Sequence, residues 1–180
     1  MDESITRAIN GLAGGSSTID ALLLTITNYG VPALLLMTVL QWWARADRAH
    51  VRHACIAAAM SLGLGLVVNF TIILIVHRVR PYELGITQLI VPRSIDWSFP
   101  SDHATAAYAI AGPFLSALGA VRRWTYTTLA VLVSLSRVYV GTHYFGDVAG
   151  GALTGLAASA AVGALYVPDT KFDRFIVAMF

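Results

Sequence analysis

Charged residues are scarce in this 180-residue sequence. Charged residues make up only 12% of the chain, whereas a soluble domain usually carries roughly 25%. Hydrophobic residues account for 57%, and the mean hydropathy is +0.68. This composition excludes a disordered chain, a fibrous repeat and an ordinary soluble domain. It predicts a chain that is embedded in a bilayer and surrounded by membrane lipids.

Cysteine and net charge are also scarce. The single cysteine, Cys55, lies in an apolar run, so a disulfide framework is excluded. The net charge of +2 is too small for the basic surface typical of nucleic-acid-binding proteins. We therefore expect no nucleic-acid partner.

Five apolar runs are long enough to cross a bilayer, which needs about 20 apolar residues in a helix. One of them contains Arg137 near its end, and the last carries small residues every four positions from Gly151 to Gly163, a spacing that lets another helix approach closely. We predict an all-α integral-membrane helical bundle that forms one domain over residues 1–180. The five predicted spans are Ala21–Ala44, Ala54–Val76, Ala104–Val121, Trp124–Thr142 and Val148–Val167.

The segment Met1–Gly15 has a different pattern. Ile5, Ile9 and Leu12 lie three or four residues apart among charged residues, which is typical of a short amphipathic helix on the membrane surface. The segment lacks the layout of a cleaved signal peptide.

Basic residues between the predicted spans indicate the orientation of the chain, because they favour the cytoplasmic side. We predict that the 78–101 loop and the 141–147 turn face the periplasm or the cell exterior, and that the protein lies in the inner (cytoplasmic) membrane. The seven basic residues assigned to the cytoplasmic side are Arg45, Arg48, Arg52, Arg122, Arg123, Lys171 and Arg174.

Three polar segments fall at the outer ends of the predicted spans, at similar depth. They are His77-Arg78-Val79-Arg80-Pro81, Ser98-Phe99-Pro100-Ser101-Asp102-His103, and Ser136-Arg137 with His143 and Asp147.

The residue types in these segments suit phosphate chemistry. Arg80 and Arg137 can clamp a phosphoryl group by bidentate contacts and stabilise its developing charge. Ser101 and Asp102 stand where a helix begins, and the free backbone N–H groups of a helix N-terminus bind anions. His103 follows, placed to give a proton to a leaving oxygen.

His143 and Asp147 are four residues apart, so they share a face if the last span begins near His143. A carboxylate bonded to one ring nitrogen fixes the tautomer and leaves the other nitrogen free to attack. The segments together predict phosphoryl transfer through a histidine nucleophile. A zinc site built from His103, His143 and Asp147 is the alternative, and the arginines disfavour it because they repel a cation.

Other basic residues have simpler interpretations. We expect His50, His53 and His77 to be satisfied polar residues at helix ends. For Arg93, a side chain reaching the lipid headgroups is as good an interpretation as a functional role.

The three segments resemble the signature motifs of the type 2 phosphatidic acid phosphatase (PAP2) superfamily, which read Lys-x6-Arg-Pro, Pro-Ser-Gly-His and Ser-Arg-x5-His-x3-Asp. The third motif is matched in full. The second has Asp102 in the glycine place, and the first keeps Arg80-Pro81 but has Ile73 in the lysine place. The resemblance covers about residues 70–155.

The resemblance implies that His143 is the nucleophile, Asp147 its orienting partner and His103 the general acid. It implies that Arg80, Arg137 and Ser101 bind the phosphate, and that no metal or other cofactor takes part. Membrane members of the superfamily have six spans, so either the N-terminal segment supplies a sixth or this chain is a shortened version.

The departures from the motifs point to one branch of the superfamily. Ser-Phe-Pro-Ser-Asp-His is similar to the bacitracin-resistance-type undecaprenyl-diphosphate phosphatases, some of which also lack the lysine. The resemblance therefore implies removal of the terminal phosphate of undecaprenyl diphosphate at the outer face of the membrane. We expect Arg78, near Arg80, to join the phosphate-binding residues and supply the charge that the lysine would give.

Other functions fit part of the pattern. The substrate could be another lipid phosphate, such as phosphatidic acid, phosphatidylglycerol phosphate or lipid A phosphate, and the phosphate could pass to a second lipid instead of water. A small transporter is the alternative outside enzymes, favoured by Asn28, Gly30 and Pro32, which interrupt the first span. A transporter site lies near the midplane of the membrane, whereas an enzyme of this kind needs its histidines and arginines at the span ends.

Overall fold

The computed structural model describes residues 1–115 and 119–178, and over these residues the chain is all-helical. One 3-10 turn, Gly112–Phe114, follows the fourth helix. The helices are α1 (Asp2–Asn10), α2 (Ser17–Gln41), α3 (Arg48–Ile73), α4 (Asp102–Ala111), α5 (Ala120–Tyr139), α6 (Phe145–Leu165) and α7 (Lys171–Ala178).

The short helix α4 lies at the centre of the bundle, where it contacts α2, α3, α5 and α6. Its sequence is rich in alanine, and Ala104, Ala107 and Ala109 are fully buried. Because alanine side chains are small, the surrounding helices can approach the α4 backbone closely. The N-terminal end of α4 is therefore held in the middle of one end of the bundle.

Helix α6 makes the closest approach to α4, and its glycines are the reason. A Cβ atom on Gly151 would lie 2.5 Å from the carbonyl oxygen of Ser101, and one on Gly155 would clash with the Thr105 carbonyl. The predicted small-residue contact is thus confirmed for these two positions. It does not extend to Gly163, where an added Cβ would meet nothing within 4 Å.

In the part of the chain that the structure describes, three helices are long and apolar enough to cross a membrane: α2, α3 and α6. The predicted span Ala104–Val121 differs most from the structure. Its helix α4 ends at Ala111, the 3-10 turn follows, and residues 116–118 lie outside the described residues. Helix α4 is enclosed by other helices and need not be long enough to face lipid on its own. The count of five spans stays a prediction.

Helix α1 forms as predicted, but its polar face contacts the protein. Asp2, Thr6 and Asn10 are four residues apart and share one face, and Thr6 and Asn10 are buried. The Asn10 amide donates to the carbonyl oxygens of Gln88 (2.9 Å) and Tyr139 (2.8 Å), and its own oxygen accepts from the Gln88 N–H (2.7 Å). Helix α1 is thus tied to the loop that carries Arg80 and to the end of α5.

Candidate active site

The three polar segments meet around a cavity of about 90 Å³ at one end of the bundle. Hydropathy predicted that the three segments lie at similar depth, and the structure brings residues of all three to one cavity. The histidines and arginines stand at helix ends, as expected for an enzyme of this kind. The cavity is lined by Arg80, Ser94, Asp96, Pro100, Asp102, His103, Arg137 and His143.

His143 lies in the turn between α5 and α6 and is 3% exposed. Its Nδ1 is 2.8 Å from the carbonyl oxygen of Ser98. A carbonyl oxygen only accepts, so Nδ1 carries the hydrogen and Nε2 keeps its lone pair. Burial lowers the pKa of His143, with Asp147 opposing the shift, so the ring is neutral at neutral pH. Nε2 accepts a long hydrogen bond of 3.4 Å from Nη1 of Arg80, beside the cavity.

Asp147 lies beside His143 as predicted, but the expected direct hydrogen bond between them is absent. Its Oδ2 is 3.6 Å from Nδ1 of His143, beyond hydrogen-bond distance. His143 precedes α6 by two residues, and its ring turns toward Ser98 instead. The Asp147 carboxylate accepts from the Ser98 hydroxyl (2.5 Å), the Tyr144 N–H (2.9 Å) and the Arg78 guanidinium (2.7 Å). Ser98 therefore links Asp147 to His143.

Arg80 is buried and fixed on three sides. Nε donates to the Asp96 carbonyl (3.0 Å), Nη2 to the Asp96 carboxylate (2.8 Å) and Nη1 to the Thr142 carbonyl (2.9 Å). The Asp96 side chain is 47% exposed, so a phosphate entering the cavity can compete with it for Nη2. The sequence did not single out Asp96, which lies outside the three motifs.

Arg137 stands in the last turn of α5 and lines the cavity. Its Nη1 donates to the Thr27 hydroxyl at 2.8 Å, while its buried Nε has no hydrogen-bond partner within residues 1–115 and 119–178. An unsatisfied buried donor is costly, and it is well suited to a phosphate oxygen. Arg80 and Arg137 thus bring two guanidinium groups to one small cavity, as predicted.

The N-terminus of α4 forms another wall of the cavity, through Pro100, Asp102 and His103. The half-buried His103 faces the same cavity as His143, as its predicted role requires. Ser101 does not belong to the cavity wall, and neither do Asp147 and Arg78. The Ser101 hydroxyl is buried and has no hydrogen-bond partner among the described residues, and its N–H donates to the Asp147 carbonyl at 3.1 Å.

Asp102, which stands in the glycine place of the second motif, is held by a residue of α3. Asn69 is fully buried, and its amide donates to the Asp102 carboxylate (2.5 Å) and to the Pro100 carbonyl (3.3 Å). Asn69 precedes Ile73, the lysine place of the first motif, by one helical turn. The helix that carries the first departure therefore contacts the residue of the second through Asn69. Asn69 could have been suspected as the most polar member of an otherwise apolar run.

Arg78 does not take the place predicted for it. Its Nη1 is 2.7 Å from the Asp147 carboxylate, its Nη2 is 2.6 Å from the Asp2 carboxylate, and it is not part of the cavity wall. Two carboxylates attract the guanidinium away from the phosphate-binding side. The expectation that Arg78 replaces the motif lysine is corrected accordingly.

The alternative of a zinc site built from His103, His143 and Asp147 is not supported by the positions of these side chains. Within residues 1–115 and 119–178, no three His, Cys, Asp or Glu side chains are grouped to hold a metal ion. His103 and His143 line the cavity, but Asp147 directs its carboxylate to Arg78 and Ser98. The cavity wall thus combines two guanidinium groups, two imidazoles and the N-terminus of α4 with the carboxylates of Asp96 and Asp102.

Two guanidinium groups around a small cavity at one end of a bundle of apolar helices fit the class of integral-membrane phosphatases. The family model of the PAP2 superfamily matches residues 53–171. The chain belongs to the PAP2 superfamily. It is a multi-pass membrane protein and a lipid phosphatase by class.

One relative is similar over most of both chains. Undecaprenyl-diphosphatase BcrC of Bacillus subtilis (strain 168) is 34% identical over 152 residues, which make up 83% of this chain and 76% of that protein. This similarity agrees with the subfamily that the motif departures indicated.

Two solved structures share the fold. The LpxE structure from Aquifex aeolicus has a TM-score of 0.73 at 21% identity and covers 89% of this chain and 93% of its own. A transmembrane PAP2-type phosphatidylglycerolphosphate phosphatase from Bacillus subtilis has a TM-score of 0.68 at 25% identity, covering 99% of this chain and 87% of its own. The helical architecture is thus that of membrane PAP2 proteins.

Proposed function

We propose that this protein hydrolyses undecaprenyl diphosphate to undecaprenyl phosphate and inorganic phosphate through a phosphohistidine on His143. One observation carries the mechanism: the buried His143 presents an unprotonated Nε2 beside Arg80, in a cavity that Arg137 also lines. The substrate is supported by the relative named undecaprenyl-diphosphatase and by the Ser-Phe-Pro-Ser-Asp-His segment.

In the first step, the Nε2 lone pair of His143 attacks the terminal phosphorus. The bond from phosphorus to the bridging oxygen breaks, and its electron pair leaves with undecaprenyl phosphate. In the free protein, burial and the nearby Arg137 lower the pKa of His103 to about 3. The negative charge of the bound diphosphate favours the protonated ring, so His103 takes up a proton with the substrate and gives it to the bridging oxygen. Arg80 and Arg137 bind the non-bridging oxygens, where they stabilise the transition state more than the ground state.

In the second step, water attacks the same phosphorus and gives its proton to the now neutral His103. The P–N bond breaks, inorganic phosphate leaves, and His143 regains its lone pair. While the phosphohistidine exists, its ring is positively charged. The Ser98 carbonyl and the nearby Asp147 carboxylate stabilise that charge.

We further propose that the site opens to the periplasm or the cell exterior and needs no metal. The basic residues predicted on the cytoplasmic side support the orientation. Charge stabilisation by Arg80, Arg137 and the α4 N-terminus supports catalysis without a cation.

A phosphate-release panel on purified protein in detergent tests the proposed substrate and the proposed independence from metal. The substrates are undecaprenyl diphosphate, phosphatidic acid, phosphatidylglycerol phosphate and a lipid A phosphate, each with and without EDTA, and His143→Ala measures the background. We expect the highest kcat/KM for undecaprenyl diphosphate, one inorganic phosphate per turnover, and no change in EDTA. A tenfold or greater preference for another lipid would contradict the substrate (about 1.4 kcal/mol in the transition state). Loss of activity in EDTA that one particular metal restores would contradict metal independence.

A further inference from the structure

Helix α1 reaches the first turn of α6, directly behind the His143 turn. The Asp2 carboxylate accepts from the Gly146 N–H at 2.7 Å, and the Thr6 hydroxyl accepts from the Phe145 N–H at 3.0 Å. The first N–H groups of a helix have no partner within the helix, so these contacts cap α6 from outside. Asp2 and Thr6 thereby fix the start of the helix that carries Asp147.

Arg78 joins this cap to the active site. It bridges two carboxylates, with Nη2 2.6 Å from Asp2 and Nη1 2.7 Å from Asp147, and its guanidinium carbon lies 3.8 Å from the centre of the Tyr144 ring. Burial works against its charge, but the two carboxylates raise the pKa of Arg78 overall. It is therefore a permanent cation beside Asp147.

The contacts continue from Asp147 to the reacting ring. The Ser98 hydroxyl donates to Asp147, and the Ser98 carbonyl accepts the Nδ1 hydrogen of His143. A single path of short contacts thus runs from Asp2 through Arg78, Asp147 and Ser98 to His143. Neither Asp2 nor Arg78 lines the cavity.

We propose that Asp2 and Arg78 are positioning residues for His143, an inference that rests on the nucleophilic role given to His143 above. Through Asp147 and Ser98 they hold the imidazole in its attacking orientation. Arg78 also neutralises the buried Asp147, which keeps the ring of His143 uncharged. Helix α1 then contributes to the active site by helping to position His143.

The proposal makes a specific statement about charge. The charged or titratable groups that face His143 are Arg80 from its loop, Arg137 from α5, His103 from α4 and Asp147 from α6. The carboxylates of Asp96 and Asp102 line the same cavity. Removing the cation at 78 leaves Asp147 uncompensated, and a carboxylate near an imidazole favours its protonated form. The pKa of His143 should then rise, so that less of the enzyme has a free Nε2 at a given acid pH.

The experiment measures kcat, KM and the pH profile of kcat/KM for full-length variants with undecaprenyl diphosphate. For Arg78→Gln we expect a fall in kcat of about 10- to 100-fold, the size usual when a group that supports a site ligand is lost. KM should stay within about twofold, and the acid limb of kcat/KM should move to higher pH, because that limb reports groups of the free enzyme. Asp2→Asn should lower kcat and move the acid limb to higher pH, each by less than Arg78→Gln does. Arg78→Lys should restore the position of the acid limb.

Glu3→Gln is the matched control, since it removes the same charge from the exposed residue next to Asp2. It should behave as the parent protein. The proposal would be overturned if Arg78→Gln raised KM and the inhibition constant for inorganic phosphate while the acid limb stayed in place. That result would show that Arg78 binds phosphate. Equal effects of Glu3→Gln and Asp2→Asn would also overturn it.

Two further results keep the test decisive. If Arg78→Gln does not fold, as judged by its thermal melt, Asp2→Asn and Arg78→Lys decide by the same readouts. If His143→Ala retains turnover, the nucleophile assignment fails, and this failure is visible without any variant at 2 or 78.

Discussion

The two ends of the bundle each contain a histidine beside a carboxylate. At the end opposite the cavity, His53 Nδ1 is 2.8 Å from Asp173, and its ring stacks on Tyr166 with centroids 4.4 Å apart. At the cavity end, Asp147 is 3.6 Å from His143. By distance alone, His53 has the better carboxylate partner.

The surroundings separate the two histidines. Nε2 of His143 has Arg80 at 3.4 Å, and Arg137 and His103 line the same cavity. The larger cavity beside His53 is lined, among the described residues, mainly by small and apolar side chains, with no arginine in its wall. Asp173 also accepts from the Tyr166 hydroxyl at 2.5 Å, and the cluster joins α7 to α3.

This difference shows that a short histidine–carboxylate contact does not identify a nucleophile. What matters is where the free ring nitrogen points and whether cations stand ready for the phosphate. His53 is a satisfied polar residue near a helix end, as predicted, and its contact with Asp173 fastens α7 to α3. His143 fits a reacting group even though its direct partner is a backbone carbonyl.

The largest expected effect comes from truncating each histidine in turn. His143→Ala should lower turnover by about four orders of magnitude or more, the loss usual for a removed nucleophile. His53→Ala should leave kcat within about twofold while lowering the melting temperature, because it removes a hydrogen bond to a charged group worth about 1.5–3 kcal/mol. Phosphate release and thermal melts of both variants give the comparison.

His143→Gln is the matched control for His143→Ala. His143→Gln keeps a polar side chain of similar size but no nucleophilic imidazole, so it should be as inactive as His143→Ala. Turnover near the parent level in either variant would refute the nucleophile, and a large kcat loss in a folded His53→Ala would show that the two ends are not functionally different.

The parts of the site that the sequence predicted correctly are those fixed by spacing. His143, Asp147 and Arg137 belong to one motif, and His103 opens a helix, so local geometry brings each of them to a span end. Their meeting around one cavity was expected because hydropathy places the three segments at similar depth. No packing detail was needed for it.

The parts that could not be predicted depend on which of several partners a side chain finds in three dimensions. Arg78 could have turned to the phosphate side, but Asp2, 76 positions earlier, supplies a carboxylate on the other side. Asn69 finds Asp102 across a helix contact that hydropathy does not reveal. In the same way, an apolar run does not show that α4 ends at Ala111, because a helix enclosed by protein needs no membrane-spanning length.

A smaller effect is expected for His103, and it depends on the leaving group. A general acid typically contributes about 10²–10⁴-fold, and His103→Ala should lose that much on a lipid monoester, whose alkoxide leaving group needs a proton. The loss should be smaller on undecaprenyl diphosphate, whose leaving group is a phosphate. Measuring kcat/KM for substrates with leaving groups of different pKa tests this, and equal losses throughout would argue against the acid role.

The last comparison concerns which end of the bundle faces which side of the membrane, and here the catalytic effect should be nil. In a version without Cys55, a thiol is placed at Gln88 in the loop at the cavity end, or at Ala46 in the loop between α2 and α3. Both positions are exposed, and the hydrogen bonds of Gln88 to Asn10 use its backbone, so neither substitution removes a side-chain contact described above.

An impermeant thiol reagent is then applied to intact cells stripped of any outer membrane. We expect labelling at Gln88→Cys and protection of Ala46→Cys until the cells are lysed, with phosphate release unchanged in both, because the arginines at the opposite end of the bundle favour the cytoplasm. The reverse pattern would place His143 and Arg80 in the cytoplasm. A diphosphate left on the outer leaflet could then not reach Nε2 of His143, and the substrate proposed here would have to be met on the inner leaflet.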